Sequence, residues 1–586
     1  MKKMRILPVY PKFPPSFWGY KYALNFIDVP SQMPPLGLAT VAAMLPQEHF
    51  DVNRIIDLNV EPLRDEDIQA ADLVFFSSML VQKKSQEESI AKVQALGKKA
   101  VAGGPYPTSY PEAVKADYLV LGEAEASLPS FLEDILSGNM KRVYNKNDGP
   151  DKGKLSLQRT PIPRWDLINV KNYATLAIQY SRGCPFDCEF CEITNLFGRT
   201  ARTKTTEQMI EELNAVYNTG WKGSVFIVDD NFIGNKTKVR ELLPAIKSWQ
   251  EQHNYPFALF TEAGTELGSP NHKDILEEMV AAGFDQVFVG IESPDADVLG
   301  KMNKKQNSGL HEKIKNIQRA GLEVMGGFII GSDGEKPEVF QNLFKFIQET
   351  GIVIPMVGLL NAAKNTKLYR RLLLEDRLRG EPSGNNTHQL EFNFKPELDE
   401  EFLINGYVDI LEKLFDSKNF YERCQTLDEC RGHYHSTSAV STKDLKAFGR
   451  ILYQNLIRAP DLQFVKYALE TVITHPRHFP EAITRAVKLH HFKKITKATA
   501  DIYHYQDVTE SIYKRFEKKV GKLKDKFAGD TEVQWQRLQE LSHDMLEKAN
   551  KKYHKINEDF RADAKRALDN LVMKIDNYMQ NYRLEL

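Results

Sequence analysis

Three cysteines close together in the chain are the residues whose type and spacing could do the most chemistry. Cys184, Cys188 and Cys191 lie within Ser-Arg-Gly-Cys-Pro-Phe-Asp-Cys-Glu-Phe-Cys, after an alternating run over 173–180 that predicts a strand ending in a loop. Three thiolates can bind three irons of a 4Fe–4S cluster and leave the fourth iron open for a substrate-like ligand. A zinc knuckle and a chance group of buried thiols are the alternatives, but no histidine or fourth cysteine lies at the usual zinc-ligand spacing.

The spacing Cys-x3-Cys-x2-Cys, with the aromatic Phe190 just before the last cysteine, resembles the signature of the radical S-adenosylmethionine (SAM) superfamily. The resemblance implies that the open iron chelates the amino and carboxylate groups of SAM. It also implies that an electron from the cluster splits SAM to a 5'-deoxyadenosyl radical, which takes a hydrogen atom from the substrate, and that Phe190 lies near the adenine. An electron donor such as flavodoxin or ferredoxin is the implied partner.

Length and composition indicate a soluble protein of several domains. The 586 residues are too many for one ordinary core, so we expect three or four domains, for which 42% hydrophobic residues is ample. The 78 basic and 79 acidic side chains nearly cancel, so no bulk charge points to a nucleic acid partner. Pro8, Pro11 and Pro14 interrupt the apolar start of the chain, and no apolar run approaches membrane-spanning length. Five cysteines, three in one ligand group, fit a reducing compartment, and we expect a cytoplasmic protein without a membrane span.

The first 144 residues alternate predicted helices with predicted strands over 5–9, 53–57, 73–76, 99–102 and 118–121. Small polar or glycine-rich turns follow several of these strands. This pattern predicts a doubly wound, Rossmann-like α/β domain whose ligand lies at the carboxyl ends of the strands. Glycine lets the backbone approach a large polar ligand closely, although such turns also occur in many nucleotide-binding and flavodoxin-like domains.

An α/β domain directly ahead of the three-cysteine motif resembles the cobalamin-binding domain of cobalamin-dependent radical SAM enzymes, as do Pro-Pro-Leu-Gly at 34–37 and Leu-Gly-Glu-Ala-Glu at 121–125. Better-known cobalamin modules carry an Asp-x-His-x-x-Gly loop whose histidine binds cobalt from below; this region has no such loop, and its only histidine is His49. The resemblance implies a lower face without a histidine ligand. From sequence position alone, we expect the loop over 79–82 to face the cobalt. The residues expected to contact cobalamin are Ser77, Ser78, Met79, Gly103, Gly104, Pro105, Gly122 and Glu123.

A polar linker is expected over 145–172, followed by a second α/β region over 173–370. About six strand–helix units follow one another there, which predicts a partial (β/α)6 barrel with its chemistry at the carboxyl ends of the strands. Polar side chains and a glycine turn fall at those ends. They are Asp229, Asp230, Glu262, Glu292, Ser293 and Gly331.

The radical SAM resemblance implies a role for these strand-end residues. In that family, strand-end carboxylates and serines contact the amino acid and ribose parts of SAM, which would be the task of the four carboxylates and the serine just named. The strand Gly-Phe-Ile-Ile-Gly ending at Gly331 resembles one that meets adenine through its backbone. For any single one of these residues, a helix N-cap or a capped turn is the alternative.

The remainder of the chain changes character. Residues 371–440 form a charged, turn-rich, family-specific segment, and 441–586 are predicted to be almost entirely helical. Apolar residues recur at helical spacing over 533–582, which indicates a packing or self-association face, with peripheral membrane contact as the alternative. Cys424 and Cys430 are ordinary thiols or, alternatively, an auxiliary metal or redox site.

The order of α/β domain, three-cysteine barrel and helical domain resembles the cobalamin-dependent radical SAM methyltransferases over roughly residues 1–430. Tyr-Pro-x-Phe-Pro at 10–14, the following Phe-Trp, and Asn-Gly-Tyr at 405–407 look most like the subgroup that includes hopanoid C-2 methylases. The resemblance implies methyl transfer from methylcobalamin to an unactivated carbon of a small-molecule or lipid substrate, such as a hopanoid. Other radical outcomes, ring formation or oxidation, and a non-catalytic cobalamin or cluster sensor are the alternatives.

Overall fold

The computed structural model describes residues 3–145, 155–304, 306–385, 390–433, 442–527 and 529–585. The described residues form two compact units: the first runs to His491, and the second comprises Leu390 and the residues from Phe492 onward. The first unit contains two parallel β-sheets with their helices, and the second is helical. The predicted class is thus confirmed: a Rossmann-like α/β domain, a partial β/α barrel and a mainly helical C-terminal region.

The N-terminal domain alternates strands with helices, as predicted. Its strands are β1 (Met4–Tyr10), β2 (Phe50–Asp51), β3 (Ile56–Asp57), β4 (Leu73–Ser77), β5 (Lys99–Gly103), β6 (Tyr118–Val120) and β7 (Val143–Tyr144), and its helices are α1 (Lys21–Leu24), α2 (Leu36–Met44), α3 (Asp65–Ala70), α4 (Lys83–Ala95), α5 (Pro105–Ser109) and α6 (Ala124–Ser137).

All strands of this sheet run parallel, in the order β2-β1-β4-β5-β6-β7, with β3 also paired to β1. The strand order reverses between β1 and β4, which creates the crevice at the carboxyl ends where doubly wound sheets bind ligands. Val9, Val74 and Ala102 are fully buried in the sheet, as expected where helices cover both faces. The single strand predicted over 53–57 is wrong in extent, because two short strands, β2 and β3, pair with different parts of β1.

The predicted linker is only partly described. Residues 146–154 lie outside the described residues, and 155–172 form short 3-10 turns at Leu157–Arg159, Trp165–Leu167 and Val170–Asn172. Trp165 is buried, as expected of a side chain that docks the linker.

The second region supplies the barrel. Its strands are β8 (Leu176–Ile178), β9 (Ser181–Arg182), β10 (Arg202–Thr203), β11 (Gly223–Ile227), β12 (Phe257–Ala263), β13 (Phe284–Glu292), β14 (Glu323–Ile330) and β15 (Ile354–Leu359), and its helices are α7 (Ile193–Leu196), α8 (Thr206–Asn218), α9 (Lys236–Gln252), α10 (Lys273–Ala281), α11 (Ala296–Lys301), α12 (Leu310–Ala320) and α13 (Val339–Thr350).

The barrel sheet is parallel in the order β8-β11-β12-β13-β14-β15, while β9 and β10 form a separate antiparallel pair. Over the described ranges this is the partial, six-stranded barrel that the sequence predicts. Local sequence starts the helices: before α8, the Thr205 hydroxyl accepts from the Gln208 N–H over 3.2 Å, and the Gln208 side chain accepts from the Thr205 N–H over 2.9 Å. Along β12 buried and partly exposed residues alternate, because one face of the sheet packs on helices and the other lines the lumen.

Helices complete the chain. They are α14 (Lys367–Leu374), α15 (Glu400–Leu414), α16 (Ser417–Cys430), α17 (Thr442–Tyr453), α18 (Leu462–Thr474), α19 (Phe479–Lys526), α20 (Thr531–Tyr553) and α21 (Arg561–Glu585). The sequence analysis missed α14, which lies among charged residues. Leu368 and Leu372 bury one face of it, and the Thr366 hydroxyl caps it by accepting from the Tyr369 N–H over 3.1 Å.

In the second unit, α19 from Phe492 onward, α20 and α21 pack around their own apolar core, which includes Phe516, Leu538 and Ile575. The apolar spacing over 533–582 therefore serves packing within this unit. Along the described ranges, every helix is too short or too polar to span a membrane. The domain boundaries at 144, 172, 370 and 440 stay predictions, since the division by packing falls after His491.

Candidate active site

The loop that carries the three cysteines is held at its start. The Cys184 backbone N–H donates to the Gly198 carbonyl over 3.3 Å. Gly183 adopts φ +92°, and a Cβ atom there would lie 2.6 Å from the Thr200 carbonyl oxygen. Only glycine suits both this backbone angle and this close approach, so the residue before Cys184 is fixed by geometry.

Cys184, Cys188 and Cys191 are free, partly buried thiols. Burial raises the pKa of Cys191 to about 12, and the charges of the other two thiols contribute to the rise. The Asn231 side-chain amide donates toward the sulfur of Cys184 over 3.9 Å. The Gln306 amide donates toward the sulfur of Cys188 over 3.8 Å. Three thiols that influence one another, two of them facing N–H donors, fit the ligand set of a 4Fe–4S cluster.

The other two cysteines lie on α16. Cys424 is fully buried, and burial raises its pKa to about 12. Cys430 donates from its sulfur to the Gln318 side-chain oxygen over 3.5 Å. Within the described ranges, no group of three or more histidine, cysteine or carboxylate side chains is arranged around a single metal ion. Lys315 Nζ also donates toward the sulfur of Cys430 over 3.8 Å, and the role of both thiols stays a prediction.

Asp229 and Asp230 follow β11 and hold the backbone that leads to the cysteines. The Asp229 carboxylate accepts from the Tyr180 N–H over 2.8 Å, and from the Ser181 N–H and hydroxyl over 2.9 and 2.7 Å. Asp230 accepts from the Gly183 N–H over 2.8 Å. Burial raises the pKa of Asp229 to about 7 and that of Asp230 to about 6 in spite of these hydrogen bonds. Both aspartates thus position the loop, and their contact with SAM stays a prediction.

Glu262 lies in β12, paired in register with Phe288 of β13. Burial raises the pKa of Glu262 to about 8, and the charges of Asp230 and Asp229 contribute. Three carboxylates on neighbouring strands therefore share a poorly solvated site, which favours a cationic ligand.

Glu292 ends β13 with φ +66°, a left-handed conformation that residues with a side chain seldom adopt. Its carboxylate accepts from the ammonium group of Lys304. Lys304 Nζ also lies 5.9 Å from the centre of the Phe190 ring. Lys304 thus connects two of the predicted SAM-binding residues, and the sequence analysis missed it because no spacing marks it.

Ser293 and Gly331 have local structural roles. The Ser293 hydroxyl accepts from the Asp295 N–H over 3.1 Å, which is the capped turn given as the alternative. Gly331 has φ +97°, its N–H donates to Glu335 over 2.9 Å, and a Cβ atom there would lie 2.2 Å from the Phe392 ring. Contact of either residue with SAM stays a prediction.

A polar network behind the loop was not predicted. Asn231 donates to Glu266 over 3.3 Å and accepts from the Gly264 N–H over 3.2 Å. Asn307 donates to the carbonyls of Gly290 and Ile291 over 3.2 and 2.9 Å. Asn231 could have been found, because it continues the run Asp229-Asp230 at the end of β11; nothing in the sequence marks Asn307.

The predicted cobalamin-binding turns lie at the carboxyl ends of β4, β5 and β6. Gly104 has φ +90°, and a Cβ atom there would lie 2.7 Å from the Ser77 hydroxyl. The Ser78 hydroxyl donates to the Gln86 side chain over 2.5 Å. Gly122 has φ +79°, and a Cβ atom there would meet no other atom within 4 Å.

The remaining members of the predicted set lie along the same edge. Gly103 is confined, because a Cβ atom there would lie 2.9 Å from the Val120 carbonyl oxygen. Pro105 starts α5. The Met79 side chain is 52% exposed at the loop expected to face cobalt. Its N–H donates to the Gln82 side chain over 2.9 Å.

Ion pairs join the carboxyl-end edge of the N-terminal sheet to the cysteine loop. Glu123 pairs with Arg182 and Arg202, each over 3.0 Å, and Glu125 pairs with Arg182 over 2.9 Å. The Glu123 carboxylate thus binds the barrel, and its contact with cobalamin stays a prediction. Ser109, the last residue of α5, donates to Glu192, which directly follows Cys191. The carboxyl ends of the two sheets therefore meet across one interface.

Three family profiles match successive parts of the chain. The B12 binding domain matches residues 23–132, the radical SAM superfamily matches 178–347, and a domain of unknown function, DUF4070, matches 366–505. An uncharacterised methyltransferase of Synechocystis is 38% identical over 502 residues, which cover 83% of this chain and 91% of that protein. This chain belongs to the cobalamin-dependent radical SAM methyltransferases. A hopanoid C-2 methylase of Rhodopseudomonas palustris is 35% identical to this chain over 382 residues, which cover 64% of this chain and 71% of that enzyme.

Two solved structures share the fold of this chain. The cobalamin-dependent SAM radical enzyme OxsB, with aqua-cobalamin bound, superposes with a TM-score of 0.55 at 14% identity, over 84% of this chain and 80% of that chain. The radical SAM methyltransferase TsrM of Kitasatospora setae superposes with a TM-score of 0.55 at 16% identity, over 83% of this chain and 99% of that chain.

The family, the fold and the enzyme class predicted from the sequence are thereby confirmed. The cofactors of this methyltransferase are a 4Fe–4S cluster, SAM and cobalamin. The residues that contact each cofactor stay predictions.

Proposed function

We propose that this methyltransferase places a methyl group on an unactivated carbon of a small apolar substrate, with a hopanoid-like lipid as the first candidate. The observation that supports this most directly is the junction of the two sheet edges. Ser109 reaches Glu192 beside Cys191, and Arg182 reaches Glu123 and Glu125. A substrate between these edges would meet both cofactors at once.

When bound, the cluster, SAM and cobalamin supply the radical and methyl-transfer chemistry that a carbon without nucleophilicity requires. The protein's own contribution is to bind, orient and exclude water. Asp229 and Asp230 hold the cluster loop through its backbone, and Glu262 adds a third, partly buried carboxylate. In this proposal these groups bind the positively charged part of SAM.

The substrate class rests on likeness to the hopanoid C-2 methylase and on the shared opening segment Tyr-Pro-x-Phe-Pro followed by Phe-Trp. This likeness covers 64% of the chain. The cluster needs an electron, and in this proposal flavodoxin or ferredoxin supplies it in the cytoplasm. Arg199 and Lys367, both largely exposed, flank Asp187 of the cysteine loop and offer cations to an acidic donor.

The test is an anaerobic assay. The chain is reconstituted with iron, sulfide and hydroxocobalamin and supplied with reductant, SAM carrying a deuterated methyl group, and a hopanoid extract. We expect 5'-deoxyadenosine, S-adenosylhomocysteine and a labelled methyl group in the lipid, all measured by mass spectrometry. Formation of 5'-deoxyadenosine with a product that lacks the label would instead indicate ring formation or oxidation. Absence of both SAM products with any hopanoid would overturn the proposed substrate class.

A further inference from the structure

Exposed apolar side chains are concentrated in one part of the first unit. Eight of the eighteen large apolar side chains that the described residues expose lie between positions 445 and 473, on α17, on α18 and on the turn between them. Single exposed apolar residues are ordinary, whereas a group of them marks an interaction surface. We call this group the apolar patch. Its members are Leu445, Tyr453, Leu456, Ile457, Leu462, Leu469, Val472 and Ile473.

Helix α18 is apolar on two opposite sides. One side carries Phe464 and Tyr467, which are buried, and the Tyr467 ring stacks on Tyr421 of α16 with centroids 5.0 Å apart. The other side carries Leu469 and Ile473, which lie one turn apart and are 60% and 79% exposed. A helix that is apolar all round is normally buried all round, so the second side of α18 lacks the partner that its sequence suits.

The turn between α17 and α18 is also apolar. Residues Gln454–Arg458 form a π-helical turn, in which the Ala459 N–H donates to the Gln454 carbonyl over 2.8 Å. Such turns are rare and frequently lie at functional sites. This one exposes two consecutive apolar residues, Leu456 and Ile457, and Leu462 at the start of α18 is 80% exposed. Connections between helices are normally polar, so the apolar character of this turn calls for a partner.

The two carboxylates between 445 and 474 bond to side chains of α16. Asp461 accepts a hydrogen bond from Ser417, and Glu470 accepts one from Gln425. Lys466 Nζ also lies 3.7 Å from Glu470. The negative charges of this segment are therefore bound on the side that packs against the rest of the first unit.

Positive charges lie beside the patch instead. Lys446 follows Leu445 in sequence and Arg458 follows Ile457; both cations are exposed, and neither forms an ion pair with a residue in the described ranges. Arg450 differs, because it pairs with Asp28 over 2.7 Å and thereby ties α17 to the N-terminal domain. Apolar side chains flanked by unpaired cations suit a partner with a hydrocarbon interior and an anionic surface.

We propose that the apolar patch docks this methyltransferase on an anionic phospholipid membrane. Leu456, Ile457 and Leu462 enter the boundary between headgroups and acyl chains, and Lys446 and Arg458 bind lipid phosphates. The exposed Tyr453 ring suits the headgroup level, where tyrosine is enriched. A second copy of this chain fits less well, because a two-fold contact through this patch would bring like cations together.

This docking site lies outside the segment over 533–582, whose apolar residues pack within the second unit. It goes beyond the proposed function, since it does not depend on which substrate is methylated. It requires contact with one leaflet only, in keeping with helices that, along the described ranges, are too short or too polar to cross a membrane.

The test is sedimentation of the full-length, cofactor-loaded chain with lipid vesicles. One set contains phosphatidylcholine alone, and the other an equimolar mixture of phosphatidylcholine and phosphatidylglycerol. We expect binding to the anionic vesicles that weakens with added salt, and binding to phosphatidylcholine alone that is at least tenfold weaker. Leu456→Ser combined with Ile457→Ser should weaken binding to the anionic vesicles at least tenfold. Leu373→Ser combined with Leu374→Ser, at two consecutive exposed leucines ending α14, is the matched control and should bind like the wild type.

The charges are tested separately. Lys446→Glu combined with Arg458→Glu should weaken binding to the anionic vesicles by about fivefold or more. Lys222→Glu, at an exposed position in the barrel region, should leave it unchanged. Unfolding midpoints of all variants are measured by circular dichroism, and Ile473→Ser carries the apolar test if the variant in the turn loses its fold.

Several results would overturn the inference: no binding to either vesicle, undiminished binding after the Leu456 and Ile457 substitutions, or an equal loss in the α14 control. Analytical ultracentrifugation without vesicles tests the other occupant. A wild-type dimer that becomes monomeric when Leu456 and Ile457 are replaced would assign the patch to self-association and would also overturn the inference. Vesicle binding that depends on the patch, without methyl transfer to any hopanoid, would overturn only the proposed substrate class.

Discussion

The two sheet edges that meet in the first unit present charge in different ways. At the barrel edge Asp229 is buried, Asp230 and Glu262 are partly buried, and desolvation raises the pKa of each. At the other edge the turns are glycine and serine, and the carboxylate of Glu123 is paired with arginines. The barrel edge therefore suits a cation such as SAM, whereas the N-terminal edge offers neutral backbone to a large ring system. In the predicted arrangement, one fold separates the two cofactors by charge as well as by position.

The largest expected effect comes from removing one cluster ligand. Cys188→Ala should abolish the absorbance of the reconstituted cluster and all turnover, because only two of the three thiols would remain. If the two sheet edges are independent, the affinity for cobalamin should stay within about twofold of the wild-type affinity. A tenfold change in affinity corresponds to about 1.4 kcal/mol of binding free energy. Spectrophotometric titration with hydroxocobalamin checks this, with Cys424→Ala as the control cysteine. Turnover by Cys188→Ala would contradict the cluster assignment.

The converse experiment alters the N-terminal edge. Gly104→Val should weaken cobalamin binding at least tenfold and leave the cluster intact, because the new side chain would collide with Ser77 and Ser78. Gly97→Val is the matched control: Gly97 also has positive φ, but a Cβ atom there meets nothing within 4 Å. Cobalamin binding that falls equally in both variants would show that backbone strain, and not the shape of the turn, is responsible.

The interface between the edges should show a smaller effect. Glu125→Gln removes one partner of the buried pair with Arg182, and we expect a loss of unfolding free energy of about 1–3 kcal/mol. Glu112→Gln breaks an exposed pair with Lys364 across the same interface and should cost no more than about 0.5 kcal/mol. Urea titration measures both. A similar loss in the two variants would mean that burial of the Arg182 pair does not decide the strength of the interface.

The smallest effect concerns pH. Between the ordinary Glu pKa of 4.5 and about 8, native Glu262 keeps a proton that the unfolded chain has lost, so stability falls as pH rises through this window. Glu262→Gln should therefore stabilise the cofactor-free chain at pH 8, by on the order of 1–2 kcal/mol, and have little effect near pH 4.5. Glu88→Gln, at an exposed position, is the control. If the gain in unfolding free energy of Glu262→Gln does not grow with pH, the interpretation that Glu262 shares a poorly solvated site with Asp229 and Asp230 is contradicted.

Much of this arrangement can be read from the sequence where a local pattern determines it. The three cysteines, the glycine turns at Gly103 and Gly104, and the alternation of strands and helices follow from short-range rules. Glu123 shows where such rules end. Its neighbours predict a turn beside a ligand, but its partners Arg182 and Arg202 lie far away in sequence, and only the packing of two domains brings them together. Lys304 was missed because no spacing in the sequence links it to Glu292 or Phe190, although all three lie in the barrel region.

The hydrogen bond between the Phe17 carbonyl and His491 Nε2 joins residues 474 positions apart in the chain. At about 5–20 residues per second, roughly half a minute to a minute and a half of synthesis separates these two residues. The N-terminal domain leaves the ribosome first, yet the loop between β1 and α1 forms its hydrogen bonds to His491 only after α19 has begun to emerge. We expect a nascent chain halted before residue 480 to load the cluster but to be cleaved in the loop between β1 and α1 under limited proteolysis. The order of translation would then ensure that this loop reaches its final conformation only after the rest of the first unit has been made.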